Sequence, residues 1–475
     1  MSSGVLTGDF ATDKKTMDTL LRCGESFDLL RRELIIGGSD AVMYYIDGFV
    51  KAESLQKMLQ YLASVESTGD GSPGSAERFA AEHIPAAEVD VENDLDALVT
   101  SVLSGCEVFL CDGFGPDALV IDMRTYPARS VDEPDNDRVI RGSRDGFVET
   151  MIFNAAMLRR RIRDPRLTIK FASVGSESRT DIAICYIDGV ADASYVDMLY
   201  KKITSLDVKA LPMGHRSLIE SIIRQRWYNP FPKVRMTERP DAAAAMIFEG
   251  SVIILCDTSP EAMILPTCAL DFLQETNDYY FPPLTGTYLR IVRHVIFWIT
   301  VIASPLWYMS LMYQNYLPDA LLFLVPEDPG NLPIILQLFL CEFALDGLKL
   351  ASLNTPNILS NSLSVVGGLL LGDFAVKTGW LCPDVILYTA FVAIANFTQS
   401  SYELGYAFKF MRMLTLLLTA LFGIYGFVFS VIGGFVLVAT NKTVNGKRSY
   451  LYPLVPFNGK ALAHLLFRLK KNDNG

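Results

Sequence analysis

Residues 40–48, DAVMYYIDG, and residues 181–189, DIAICYIDG, are two versions of one segment. Asp40 matches Asp181, and Tyr45-Ile46-Asp47-Gly48 matches Tyr186-Ile187-Asp188-Gly189. Each run is apolar with β-branched residues, ends in Asp-Gly, and leads into helical periodicity, Leu55 to Leu62 and Tyr195 to Ile203. That pattern reads as strand, turn and helix, twice over. A second pair lies further along, GCEVFLCD at 105–112 against GSVIILCD at 250–257. Apolar runs follow both, at 118–121 and 262–265, and the intervening Asp112-Gly-Phe-Gly or Asp257-Thr-Ser-Pro suits a hairpin turn. The expectation is an α/β domain of two related lobes, 25–131 and 165–293, the latter including a lead-in to the second half. A connecting segment at 132–164 carries helical spacing over Phe147 to Arg163, and residues 1–24 form a polar N-terminal segment.

The rest of the chain has a different texture. Of 475 residues, 50% are hydrophobic, and beyond His294 the apolar runs lengthen and lose their charges. About 20 apolar residues cross a bilayer as a helix. Four spans fit this requirement, near 294–316, 358–380, 383–402 and 413–439, within a helical membrane domain at 294–440. Met1 to Asp18 has neither an apolar core nor a small-residue cleavage site, so no signal peptide is expected there. Arg290 and Arg293 precede the first span, and the tail at 441–475 is basic, which by the positive-inside rule puts both ends in the cytoplasm. Lys409 and Arg412 then fall on the outer side. Counting 332–353 as a fifth span brings them inside but sends the tail out.

Chemistry is sparse. A net charge of −11 argues against nucleic-acid binding, because phosphate affinity comes from clustered Lys and Arg. The eight cysteines are scattered and only four histidines exist, so neither a metal nor another cofactor is expected. No phosphate loop, nucleophile elbow or His-Glu-x-x-His motif is present, and the chain reads as a non-enzyme. Asp47 and Asp188 read as caps of the helix or turn that follows, with Gly48 and Gly189 supplying positive φ. The run Arg159-Arg160-Arg161-Ile-Arg163 is either a solvated helix end or a contact for anionic lipid or an acidic neighbour.

Two stripes in the apolar half are candidate sites. Gln337, Glu342, Asp346 and Lys349 share one side of a helix over 332–353. This segment lies in the interface with its charges in water, re-enters, or lines an aqueous path with Glu342 and Asp346 as its acidic groups. Ser360, Ser364, Gly368 and Gly372 recur every four residues, as in close helix packing or a narrow pore.

Longer stretches carry a family likeness: RGSRDGFVETMIFNAAMLRRRIR at 141–163, TERPDAAAAMIFEGSVIILCDTSP at 237–260, QETNDYY at 274–280 and VVGGLLLGDFAVKTGWLCPDVILYTAFVAIANF at 365–397. With the SRTDIAICYIDG strand they resemble the spore germination GerA family, A-subunit type, over nearly the whole chain. LVPEDPGNLP at 324–333, SYELGYAFKFMRML at 401–414 and YLYPLVPFNGKAL at 450–462 resemble one branch of that family. The resemblance implies a multi-pass protein of the spore inner membrane, its soluble half facing the spore core. It implies ring oligomers, pentamers, that conduct ions early in germination, with members of this branch amplifying the response. The partners implied are the lipid bilayer, further copies of the chain, a small membrane protein, other germination proteins and the permeant ions. The competing reading is a non-conducting scaffold or receptor subunit. The family supplies no catalytic residues to carry over.

Overall fold

The computed structural model describes residues 4–126, 142–223, 226–275, 277–354, 372, 374–399, 401–441, 443–444 and 449–467. The chain forms two compact units, one of Met1–Gln225 with Val234–Pro266, the other of Arg226–Lys233 with Thr267–Gly475.

The first unit opens with α1 (Phe10–Leu20), β1 (Leu29–Ile36), β2 (Ser39–Ile46), α2 (Ala52–Ala63) and α3 (Ser75–His83). It continues with β3 (Val89–Glu92), α4 (Leu95–Ser104), β4 (Glu107–Cys111) and β5 (Ala118–Ile121). Gly37 and Gly38, both at positive φ, make the two-residue turn that lets β2 fold back on β1. Asp94 caps α4 by accepting from the Ala97 amide, and Gly105 ends it in the left-handed conformation. The strands form an antiparallel sheet in the order β1-β2-β4-β5-β3. Successive side chains of a strand point to opposite faces, so the sheet has two cores. Val42, Tyr44, Val108 and Leu110 pack in one with Met17 of α1 and Leu98 of α4. Met43, Phe109, Leu119 and Ile121 pack in the other with Met58 of α2 and Phe79 of α3.

The second sheet follows α5 (Met151–Arg161), with β6 (Leu167–Val174), β7 (Thr180–Ile187), α6 (Ala193–Thr204), α7 (His215–Ile222), β8 (Arg235–Thr237), α8 (Pro240–Phe248), β9 (Val252–Cys256) and β10 (Ala262–Leu265). Its order, β6-β7-β9-β10-β8, repeats that of the first sheet five strands on. The register repeats as well: Ala41 faces Cys111 in one and Ile182 faces Cys256 in the other. These are the positions that the two sequence matches pair.

Details at the duplicated turns differ from expectation. Gly48 and Gly189 do have positive φ, 84° and 78°. The helix caps lie elsewhere: Asp192 caps α6, and Lys51 precedes α2 with no side-chain bond. Asp188 pairs with Arg22 instead.

The arginine run is a solvated helix end only in part: Arg160 and Arg163 are exposed, but Arg159 is not. Arg159 is fully buried and donates to both carboxylate oxygens of Asp28, at 2.8 and 3.1 Å, to Ser26 Oγ and to the Leu167 carbonyl. Arg161 pairs with Asp145, and Arg160 lies over the Tyr126 ring. Backbone bonds add to the seam, with the Phe27 amide donating to Ile169 O and the Ile169 amide to Ser26 Oγ. A cation with this many acceptors was available to tie the two sheets together; the isolated run did not reveal its buried partner.

The second unit is a helical bundle of α9 (Asn277–Tyr280), α10 (Pro283–Met312), α11 (Ile334–Asn354), α12 (Pro383–Phe397), α13 (Tyr402–Ala439) and α14 (Gly459–Leu466). Two of these, α10 and α13 taken end to end, are long and apolar enough to cross a membrane. α13 is not straight, because Gly423 takes φ 60° and ψ −138° in its middle. In a straight helix Met411 and Gly434 would be about 34 Å apart. Here a Cβ on Gly434 would lie 2.5 Å from Met411 Cε, and one on Gly426 would lie within the carbonyl of Leu418. Leu437 and Val438 likewise pack with Leu404 and Ala407. Residues 402–422 and 424–439 are therefore the two arms of a helical hairpin. The sequence reads 413–439 as one pass; the reversal at Gly423 divides it, and the first arm starts eleven residues earlier, at Tyr402.

Candidate functional site

The polar side of α11 is turned into the bundle. Gln337 is fully buried; its amide nitrogen donates to the Pro329 and Leu332 carbonyls, both at 2.7 Å, and its oxygen accepts from the Cys382 amide at 2.8 Å. One side chain thus closes the loop before α11 and the start of α12. Five residues on, Glu342 meets the first arm of the hairpin. Arg412 donates to Glu342 Oε1 through Nη2 at 2.6 Å and Nε at 3.1 Å. Lys409 lies 3.1 Å from Glu342 Oε2 and 2.6 Å from Asp346 Oδ2. Arg412 also reaches the Thr300 carbonyl of α10 at 3.4 Å.

Spacing explains why these four groups meet. Glu342 and Asp346 are one turn apart on α11, and Lys409 and Arg412 are one turn apart on the hairpin. Two carboxylates and two cations sum to zero, so apolar helices can enclose them. Arg412 is inaccessible and Lys409 and Glu342 are nearly so, whereas the Asp346 side chain keeps 30% of its exposure. Asp346 Oδ1 is buried with no hydrogen-bond partner among the described residues. Each charge buried here would cost several kcal/mol in an apolar medium if it stood alone.

The interfacial reading of 332–353 needed its charges in water; Glu342 is instead enclosed by α10, α11 and the hairpin. Lys409 and Arg412, read from the sequence as outer-side charges, were the residues missed. The available signal was complementary: an acidic pair and a basic pair, each at one-turn spacing, on two apolar segments. Of the small-residue stripe, Ser360, Ser364 and Gly368 lie outside the described residues. Gly372 is described, and a Cβ there would meet nothing within 4 Å among the described residues. Elsewhere in the bundle a mainly apolar cavity of about 680 Å³ is lined by Trp307, Tyr313, Tyr316, Leu321 and Tyr388, with no charged side chain among its lining residues.

The chain thus joins paired antiparallel sheets to a helical bundle that encloses a four-charge cluster. Residues 18–474 match the model of the family described as Bacillus/Clostridium GerA spore germination protein, and the chain belongs to that family. It is similar to stage V sporulation protein AF of Bacillus subtilis (strain 168), with 38% identity over 449 residues, covering 94% of this chain and 90% of that protein. Spore germination protein KA of the same organism is 28% identical over 96% of this chain and 84% of its own length. Among solved structures, the N-terminal domain of the A subunit of the Bacillus megaterium spore germinant receptor GerK3 aligns with 56% of this chain and 98% of its own, at TM-score 0.41 and 22% identity.

Proposed function

We propose that the chain acts in endospore germination as an oligomeric, ion-conducting component of the spore inner membrane. The relatives named as spore germination proteins support the role in germination. The observation that carries the conducting role is the charge cluster, and within it Asp346, whose side chain remains partly exposed. As the most exposed carboxylate of the cluster, Asp346 is where a passing cation would be attracted without being blocked.

In this reading the soluble unit is a duplicated pair of lobes, and α10, α11, α12 and both arms of the hairpin are membrane passes. With the 358–380 span expected from the sequence the count is six, so both ends of the membrane domain share the cytoplasmic side. The even number also removes the difficulty with Lys409 and Arg412, which are inside the bundle and neutralised. Rings of this chain, pentamers by family resemblance, would converge on the small-residue stripe of Ser360, Ser364, Gly368 and Gly372.

A non-conducting scaffold is the second reading. It is favoured by the mutual satisfaction of Glu342, Lys409 and Arg412, which resembles a structural clasp. Planar bilayers containing the purified full chain separate the two. Unitary currents that lose cation preference in Asp346→Asn support conduction. Persistent silence from correctly assembled oligomers favours the scaffold. No catalytic role is proposed.

A further inference from the structure

The segment Arg226–Lys233 belongs to the helical unit although the residues on either side of it belong to the first unit. Phe231 explains the attachment. It is buried and stands edge-on to Phe408, at 5.4 Å between ring centres, and Phe408 stands edge-on to Phe297 of α10 at 4.3 Å. Tyr450, fully buried, donates its hydroxyl to the Pro232 carbonyl at 2.6 Å, while its own carbonyl accepts from the Ala269 amide. The segment is thus clamped between the helices and the chain that follows the hairpin.

The clamp exposes the rest of the segment. Trp227 is 95% exposed and Tyr228 49%, their rings edge-to-face at 6.0 Å. Arg226 donates to the Tyr228 hydroxyl at 3.0 Å, which keeps its charge beside the rings. A rigidly backed Trp-Tyr pair with an arginine beside it, left in water, would waste most of its apolar area.

The level of this surface along the helices identifies its partner. Phe297, against which the segment indirectly rests, is the third residue of the uncharged run that begins at Val295. One turn below it, Arg293 is still paired with Asp278 and Glu275. Phe231 is thus anchored near where α10 passes from charged to apolar sequence, the level at which Trp and Tyr settle in a bilayer, and Trp227 stands four residues from it in sequence.

We infer that the surface formed by Trp227, Tyr228 and Arg226 inserts into the phospholipid interface, its rings below the headgroups and its guanidinium at the phosphates. This gives a loop already held by the helical unit a lipid contact of its own. The inference rests on α10 and the hairpin crossing the bilayer.

The test uses the full chain in phosphatidylcholine–phosphatidylglycerol vesicles, with an environment-sensitive thiol label at Trp227→Cys. Met213→Cys, 70% exposed in the soluble unit, is the water reference, and Leu417→Cys, within the hairpin's first arm, is the membrane reference. The expected result at 227 is blue-shifted emission, iodide quenching several-fold weaker than at 213, and quenching by lipid nitroxide that is stronger from carbon 5 than from carbon 12. Iodide quenching equal to that at 213, without lipid quenching, overturns the inference. Protection from iodide without lipid quenching also overturns it, because a protein then covers the surface. If 417 is quenched by lipid while 227 is not, the anchor alone fails; if 417 is not quenched either, the spanning reading fails with it.

Discussion

Nη2 of Arg412 donates to Oε1 of Glu342 at 2.6 Å, joining side chains seventy residues apart in sequence inside an apolar bundle. The bond is half of a four-charge cluster, and its neutrality makes the members unequal in what their loss would do.

Glu342→Gln leaves Arg412 buried against a neutral acceptor and gives Lys409 only Asp346. Loss of one partner of a buried pair costs about 3–5 kcal/mol. We expect a lower unfolding temperature in detergent and less assembled protein. The double change Glu342→Met with Arg412→Met keeps the charge balanced and should recover most of that loss. A double variant as unstable as the single one would show that the pair is not what holds α11 to the hairpin.

Gly423 is required by the reversal. Its φ is 60°, and a Cβ there would approach Tyr313 Oη to 2.5 Å. Gly423→Leu should open the hairpin and separate Met411 from Gly434. Cysteines at 411 and 434 should be joined by a short bifunctional thiol reagent in the parent chain and not in the Gly423→Leu background. Equal cross-linking in both would remove the conformational argument for glycine.

Glu107 gives the first unit a pH dependence. It is fully buried in β4, accepts from the Met123 amide, and leaves Oε1 without a partner among the described residues. Burial pushes its carboxyl up to about 7. A raised carboxyl favours the protonated folded form, so stability is highest below the unfolded value near 4.5 and falls as pH rises towards 7. The loss is on the order of 2–3 kcal/mol. Glu107→Gln should flatten this slope in denaturant titrations of the full chain between pH 5 and 8. Val252 stands at the matching place in the second sheet and has no such dependence to contribute. An unchanged slope in Glu107→Gln would assign the titration to another group.

Arg159→Ala should loosen the seam between the two sheets, since Asp28 would be left buried without its cation, again about 3–5 kcal/mol. Hydrogen exchange at the Phe27 and Ile169 amides should rise many-fold. Arg159→Lys should rescue little, because one ammonium cannot reproduce the forked contact with Asp28 and the Leu167 carbonyl.

The two duplicated glycines should also separate. Gly48→Ala and Gly189→Ala both force positive φ on a side chain, about 1 kcal/mol. At Gly48 the new Cβ meets Ala156 at 3.1 Å and Ile152 at 3.3 Å, while at Gly189 it meets nothing within 4 Å. Gly48→Ala should therefore cost more in thermal unfolding than Gly189→Ala.

Much of the architecture was already determined by the sequence. The period-2 strands ending in Asp-Gly, the two repeated segments and the change to uncharged apolar runs beyond His294 are local patterns, and local patterns dictate element type. The family likeness rests on long contiguous stretches and was legible for the same reason. The tertiary structure alone decided the pairings. Arg159 and Asp28 are 131 positions apart, and Glu342 and Arg412 seventy, so no spacing rule connects them. The reversal at Gly423 was hidden too, because hydropathy does not register direction and an apolar hairpin reads as one long span. Which charges in this chain are buried depends on which helices meet, and that is settled by packing and by the energy of leaving no charge alone.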